Sequence, residues 1–319
     1  MQRFSLTRIS ALAIVVAVSM LAACSKKEEA TAPAEAPTPP PVAEAPRAPA
    51  QEHVHTFKIG EFSALSLWDG GMELPNDNKV FDLGGTPEEV AAVLGAAGLP
   101  TDKLALTIHP LLVKTSDRVL LFDTGAGPLF GPGSGHLLVS LAEAGIDPQS
   151  VTDIFISHSH GDHVGGLVNA EGKANFPNAR IHLSKPEWEF MSGQDQYKAW
   201  IPVIKPKVDA FKPGAEIVPG VVKAVEIKGH TPGHSGYRIT SGSDTLLYAG
   251  DSMHHYVVSV QKPDWTIAFD GDSATATASR VALIAQLATS GERVFAVHFP
   301  FPGIGKIEKH GDIAVWVAE

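Results

Sequence analysis

From about residue 54 onward, short runs of β-branched and large apolar side chains alternate with stretches whose apolar positions recur at helical spacing. Elements in that alternation pack as layers, because each sheet face and each helix stripe must be covered by another element. Strands are predicted over Leu104 to Lys114, Arg118 to Asp123, Asp153 to Ser157, Arg180 to Leu183, Val221 to Ile227, Gly236 to Thr240, Thr245 to Tyr248 and Arg293 to Val297. Helices are predicted over Pro87 to Ala97, Gly135 to Ala144, Lys185 to Met191, Gln196 to Phe211 and Ser273 to Thr289. The last is bounded by Asp272-Ser273 before it and Gly291 after it, both helix-end signals. Thr115-Ser116-Asp117 and Ser241 to Asp244 each separate two strands as a hairpin would. Such pairs are antiparallel, which argues against a purely parallel, doubly wound sheet.

The first residues follow a different rule. Arg3 and Arg8 precede an apolar run, Ile9 to Ala23, that ends in Leu21-Ala22-Ala23-Cys24. The run is about 15 residues, short of the roughly 20 that span a bilayer, so residues 1–23 read as a secretion signal with a lipoprotein-type cleavage site. Cys24 is the only cysteine of the chain, and its place at that boundary makes it the expected lipid anchor, on the periplasmic side of the membrane. The mature fold then has no disulfide. Residues 24–53 are rich in Ala, Pro and Glu and nearly lack large apolar side chains, so they read as a tether. The remaining residues, 54–319, suffice for one large domain.

Charge narrows the partners. The chain carries 25 basic and 35 acidic residues, and loss of Arg3 and Arg8 with the signal leaves 23 against 35. Nucleic acid is therefore not an expected partner. A membrane contact is expected only through the lipidated N-terminus. A homodimer is the default assembly for a soluble enzyme, but no segment marks an interface.

The candidate chemistry is concentrated after the strand that begins at Asp153. His158, His160, Asp162 and His163 fall within six residues, and burying such groups without partners costs several kcal/mol. In extended backbone, alternate side chains share a face, so His158, His160 and Asp162 would project one way and His163 another. One loop would then serve two metal positions. Gly161, Gly165 and Gly166 suit a sharply bent ligand loop.

This His-x-His-x-Asp-His run resembles the signature of the metallo-β-lactamase superfamily. Further segments come in the order that superfamily uses: Phe122-Asp123-Thr124-Gly125 before it, then Gly229-His230-Thr231-Pro232-Gly233-His234, Ala249-Gly250-Asp251 and Ala296-Val297-His298. The resemblance covers residues 54–319 and implies a four-layer αββα sandwich with a dinuclear site at one edge. Carried over by position, it implies that His158, His160 and His230 hold one metal and that Asp162, His163 and His298 hold the other, with Asp251 bridging. Five imidazoles and two carboxylates suit two Zn²⁺ ions, with Mn²⁺, Fe²⁺ or Co²⁺ compatible. Asp251, standing where some lactamase subgroups have cysteine, favours the lactonase, glyoxalase and esterase side of the superfamily.

The implied chemistry is hydrolysis by a metal-bridging hydroxide, with Asp162 and Asp251 catalytic as well as ligating. Asp123 is read either as a carboxylate behind a ligand imidazole or as a turn stabiliser. His234 is read as a loop stabiliser. Of His254 and His255, one is expected at the substrate, and His254 is taken as the catalytic candidate. His53, His55, His109, His136, His182 and His310 have no partner pattern and are read as structural or surface residues.

A narrower resemblance is to the methyl parathion hydrolase-like branch, which acts on phosphotriesters, aryl esters or lactones. It rests on Phe122 to Gly127 with Leu129-Phe130-Gly131, on Val164 to Leu167, on Phe176 to Ala179 and on Ala296 to Gly305. Trp68, Trp265, Phe269, Phe299 and Phe301 are the expected walls of an apolar pocket, although any one aromatic is more often core. The resulting expectation is cleavage of neutral, apolar aryl esters or lactones, with phosphotriesters such as methyl parathion as an added capacity. Two alternatives are an acyl-homoserine lactonase and a non-hydrolytic iron-binding member of the same fold. The former has a tyrosine three residues after the bridging aspartate, where this chain has His254.

Overall fold

The computed structural model describes residues 53–131 and 133–319. The expected signal, the Cys24 anchor and nearly all of the tether lie outside the described residues.

Two seven-stranded sheets form the frame. The chain opens with the hairpin β1 (Val54–Ile59) and β2 (Phe62–Leu67), then β3 (Gly70–Pro75), helix α1 (Pro87–Ala96) and β4 (Lys103–Ile108). β5 (Leu111–Lys114), β6 (Val119–Phe122), helix α2 (Leu137–Glu143) and β7 (Asp153–Phe155) follow, then the single-turn helix α3 (Gly161–Val164), β8 (Arg180–Ser184) and helix α4 (Lys185–Ser192). The one-turn helix α5 (Ile201–Ile204) precedes β9 (Val208–Phe211). The first sheet runs β1-β2-β5-β6-β7-β8-β9, antiparallel as far as β6 and parallel beyond it.

The second sheet consists of β10 (Glu216–Val218), β11 (Val222–Glu226), β12 (Ser235–Ser241), β13 (Asp244–Tyr248), β14 (Arg293–Phe295), β15 (Ile304–His310) and β16 (Ile313–Ala318), in chain order. Only β13 and β14 pair in parallel, across a crossover that carries helices α6 (Val258–Gln261) and α7 (Ser273–Ser290). β3 and β4 pair separately as a two-stranded sheet.

The layering follows from residues of alternate orientation that are apolar on both faces. In β6, Leu120 and Phe122 enter the core between the sheets, whereas Leu121 faces Leu137 and Leu141 of α2 in the outer core. In β13, Leu246 and Tyr248 point between the sheets and Leu247 faces Leu283, Ile284 and Leu287 of α7. Val119 to Phe122 and Leu246 to Tyr248 therefore read as unbroken apolar runs, as strand segments covered on both faces do. Helix–sheet–sheet–helix is the result.

Two predicted elements are corrected. Leu104 to Lys114 is not one strand: it breaks at His109-Pro110, sending β4 to the small sheet and β5 to the large one. Pro110 has no N–H to donate to a ladder, which favours the break. Gln196 to Phe211 is not a helix but a 3₁₀ turn, the one-turn α5, another 3₁₀ turn and strand β9. Pro202 and Pro206 sit in the first positions of the short turns, where a missing N–H is tolerated, and each prevents continuation of the turn before it. Helix α7 keeps its expected ends: Asp272 accepts from the Thr275 amide, and Gly291 closes it with φ of 65°.

His109 is wholly buried beside the break, edge-on to Phe295 and Phe301, with Nε2 donating to the Ala296 carbonyl at 3.1 Å. Burial, helped by repulsion from His298, pushes its pKa down from 6.5 to about 3. The unfolded chain takes up this proton below about pH 6.5 and the folded chain does not, so its contribution is present above that pH and lost as pH falls. Between pH 7.5 and 5, wild-type stability in urea titrations should fall by about 2 kcal/mol more than that of His109→Gln. Equal losses in the two proteins would show that His109 is not held neutral.

Candidate metal centre

Every candidate ligand follows the end of a strand. β11, β13 and β14 point the same way, as do β6 and β7, so the loops after them gather at one edge of the sandwich. His158 and His160 follow β7, His230 follows β11, Asp251 follows β13 and His298 follows β14. Gly161–Val164 is a helical turn and not extended backbone. The turn separates Asp162 from His158 and His160, which corrects the alternation read from the sequence.

The structure gathers these side chains in two groups, each with one potential ligand atom per residue and those atoms within 4.8 Å of one another: His158, His160, His230 and Asp251, and Asp162, His163 and His298. His230 Nε2 lies 3.1 Å from His158 Nε2 and 3.0 Å from His160 Nδ1. Asp251 spans both groups. Its Oδ2 is 3.7 Å from His158 Nε2 and 3.5 Å from His230 Nε2, while its Oδ1 is 3.2 Å from His163 Nε2 and 3.1 Å from His298 Nε2. Asp162 Oδ2 is 3.6 Å from Nε2 of both His163 and His298.

A fit to divalent cations can be tested on the orphaned atoms. His163 Nε2 and Asp251 Oδ1 are buried, only 3.2 Å apart, and neither makes a hydrogen bond. Atoms so close but misaligned converge on a common point instead of on each other, as ligands of one ion do. Protonation states agree. Burial keeps His158 and His160 below the ordinary histidine range and pushes His230 down to about 3, so lone pairs are available. Burial would raise Asp251, but His163, His298 and His158 outweigh it and hold the carboxyl well below its usual range. At His163 and His298 burial opposes a proton, yet the carboxylates, led by Asp251, raise both pKa values. These are positions that attract positive charge.

The far nitrogen of most rings is fixed. His163 Nδ1 donates to Asp123 Oδ2 at 2.7 Å, and Asp123 also accepts from the Ser157 amide, the Ser157 hydroxyl and Tyr248 Oη. Asp123 thus stands behind an imidazole and organises a turn at once, at φ of 57°. His298 Nδ1 donates to the Thr107 carbonyl at 2.7 Å, and His230 Nδ1 donates to Asp270 Oδ1 at 2.9 Å. Asp270 is in turn bound by the buried Arg280 at 3.1 Å. Such partners fix the tautomer and aim the lone pair. Asp270 and Arg280 carry no sequence signal that singles them out. His234 accepts from the Asp251 amide and donates to the Ile227 carbonyl, so both nitrogens serve the loop.

A cavity of about 420 Å³ opens over Asp162, Asp251, His254 and His298, walled by Met72, Leu106, Phe130, Ala268 and Phe269. Of the five expected aromatics only Phe269 lines it. Phe299 is fully buried against Trp316 in the helix-side core. Trp68 and Phe301 pack edge-to-face on each other, and Trp265 belongs to the core under the small sheet. Aromatic identity alone does not separate wall from core; Met72 and Leu106 lie far from the motifs in sequence, whereas Phe130 stands inside the Leu129-Phe130-Gly131 segment without a signal that marks it as a wall. His254 faces the cavity with neither ring nitrogen hydrogen-bonded, Nε2 lying 3.3 Å from Asp251 Oδ2. His255 instead turns inward, where its Nδ1 accepts from the Val257 and Val258 amides. A second cavity of about 580 Å³ is lined by His160, His230 and Phe269, of which His160 and Phe269 also border the first.

Residues 105–298 match the family described as the metallo-beta-lactamase superfamily. The chain belongs to that superfamily and has its fold. Among solved structures it is similar to the dizinc quorum-quenching lactonase AidC, with 31% identity and a TM-score of 0.78 over 83% of this chain and 97% of that one. It is also similar to the hydrolase AbOPH, with 26% identity and a TM-score of 0.76 over 84% of this chain and 97% of that one. Among curated relatives, a probable metallo-hydrolase of Mycobacterium tuberculosis is 27% identical over 188 residues, which are 48% of this chain and 58% of the relative. An N-acyl homoserine lactonase of a Bacillus species is 27% identical over 177 residues, 49% of this chain and 67% of the relative.

Metal in thousandfold excess over its Kd should stabilise the folded protein by about 4 kcal/mol per site. Asp251→Ala should lose most of that gain. Thermal melts with and without chelator measure it; an undiminished metal-dependent shift in the variant would remove Asp251 from the ligand set.

Proposed function

We propose that this protein is a dinuclear metal-dependent hydrolase acting on neutral, apolar lactones and aryl esters, with phosphotriester cleavage as a lesser capacity. The observation that carries the reading is Asp251, whose carboxylate stands between the two groups of ligand-type side chains, Oδ2 near His158 and His230, Oδ1 near His163 and both oxygens near His298, at the floor of a largely apolar cavity. His158, His160 and His230 would hold one ion and Asp162, His163 and His298 the other. Zn²⁺ suits the donors, and a dizinc lactonase among the similar structures supports that choice. Divalent ions there supply Lewis acidity toward the ester carbonyl and acidify water.

The protein's own groups do the rest. Asp162 faces the cavity and takes the proton of the attacking water. His254, whose two ring nitrogens make no hydrogen bond, meets the leaving oxygen and as an imidazolium gives it a proton; Asp162 then loses its proton and His254 regains one by exchange with solvent, which restores both groups. Met72, Leu106, Phe130 and Phe269 exclude bulk water and receive the apolar part of the substrate.

Lactones stand ahead of phosphotriesters in this reading because lactonases recur among the relatives and similar structures. A narrower reading, hydrolysis of acyl-homoserine lactones, is favoured by the same relatives and qualified by His254 in place of tyrosine. The apolar run Ile9 to Ala23 and the placement of Cys24 directly after it support a lipid-anchored, periplasmic location, which mass spectrometry of the mature N-terminus would test.

Steady-state rates of the zinc-loaded protein on a γ-lactone, an N-acyl homoserine lactone, phenyl acetate and a dialkyl aryl phosphate test the reaction. Turnover should disappear on chelation and return with metal. No metal-dependent turnover on any of the four would sink the reading. His254→Phe should lower kcat by about 10²-fold with metal content unchanged; an unchanged kcat would take His254 out of the reaction.

A further inference from the structure

Glu187 is completely buried, and its hydrogen-bond partners are neutral groups of two loops. Oε1 accepts from the Ser159 amide at 2.8 Å and the Ser159 hydroxyl at 2.6 Å. Oε2 accepts from the Thr231 hydroxyl at 2.6 Å and the Gly233 amide at 3.0 Å. Four donors fill the carboxylate's acceptor capacity. The placement is selective: Ser159 lies between His158 and His160, and Thr231 follows His230 directly.

The same helix end binds the second loop again. Ser184, the N-cap of α4, accepts from the Glu187 amide and donates to the Gly233 carbonyl at 2.6 Å. The contact is so close that a Cβ on Gly233 would stand 2.2 Å from the Glu187 nitrogen and 2.3 Å from Ser184 Oγ. Tyr197 Oη completes the hold on the first loop by donating to the Ser159 carbonyl at 2.6 Å. His158 and His160 come from the first sheet, and His230 comes from the second. The Asp162, His163 and His298 group has other supports, namely Asp123 and the Thr107 carbonyl.

We infer that Glu187 is a positioning residue that clamps the two loops of the three-histidine group and thereby sets metal affinity at that position selectively, an inference that rests on the metal-centre reading above. A buried carboxylate costs free energy to desolvate, and amide and hydroxyl hydrogen bonds offset that cost only while both loops are in place. Glu187→Gln keeps the size but turns an NH₂ group toward donors on one of the loops. That loop then loses its register relative to the other, and His230 no longer meets His158 and His160.

The test uses the full folded protein, loaded with Zn²⁺ or Co²⁺ and titrated with a chelator. Wild type should release two ions. Glu187→Gln should hold the three-histidine ion at least tenfold more weakly, release the other at the wild-type chelator concentration, and lose about half of the cobalt visible absorption. The Ser159→Ala/Thr231→Val double variant, which leaves Glu187 in place and removes both hydroxyl donors, should show the same selective weakening to a smaller degree. It also serves if Glu187→Gln fails to fold.

Unchanged affinities alongside a less stable metal-free protein would make Glu187 a structural residue only and overturn the inference. Equal weakening of both ions would overturn its selectivity. Wild-type protein that binds neither ion would instead overturn the metal-centre reading beneath it.

Discussion

The whole edge of the sandwich depends on one buried carboxylate facing five imidazoles. Asp251 lies within 3.1 to 3.7 Å of ring nitrogens of His158, His163, His230 and His298 on three other loops and of His254 on its own, and its Oδ1 has no hydrogen bond. In an apolar interior such a group is stable only if opposite charge is held beside it at good geometry. The imidazoles supply that charge only by taking protons, which burial resists at His158 and His230. Divalent cations remove the conflict, because they let the rings stay neutral and the carboxylates stay ionised.

Holding ligands from two sheets on common points is a demand on the frame. The ends of β6 and β7 in one sheet and of β11, β13 and β14 in the other are fixed by aromatic packing between them: Phe122, Phe155, Tyr237, Tyr248 and Phe295 form one contiguous contact. Tyr248 joins the two levels directly. Its ring lies in the inter-sheet core, and its hydroxyl donates to Asp123, the carboxylate that aims His163. Packing in the core and ligand direction at the edge are therefore not independent. A core substitution at Tyr248 would reach the site through a single hydrogen bond.

The parts of this organisation that were readable in the sequence are those with local signatures. The His158 to His163 run is dense enough to declare chemistry, and two-sided apolar runs such as Val119 to Phe122 declare buried strands. Other features depend on chain segments that meet only in the folded state. Glu187 reads locally as an ordinary first-turn acid behind a Ser184 cap, and nothing in Lys185-Pro186-Glu187 announces loops 28 and 44 residues away. Asp270 and Arg280 are equally silent. The break at His109-Pro110 and the turns and strand over Gln196 to Phe211 share one cause: the backbone restrictions of Pro110, Pro202 and Pro206 override what the apolar content there favours.

Substrate choice, under the proposed reaction, follows from what is charged and what is not around Asp251. In the 420 Å³ cavity the ionisable side chains are the ligand-type residues and His254, and the remaining walls are mostly Met72, Leu106, Phe130, Ala268 and Phe269. A charged substituent there would lose its hydration without gaining a partner, so that side suits an acyl chain or aryl ring. The 580 Å³ cavity bordering His160 is also mostly apolar, with Phe190, Pro232 and Phe269 in its lining beside Glu226, Lys228 and Asp272. Phe269 borders both cavities. His160, a candidate ligand, likewise borders both, so under the proposed reaction a substrate long enough to enter both cavities would pass beside the metal centre, and the bulk of Phe269 at that passage would decide which substrates can.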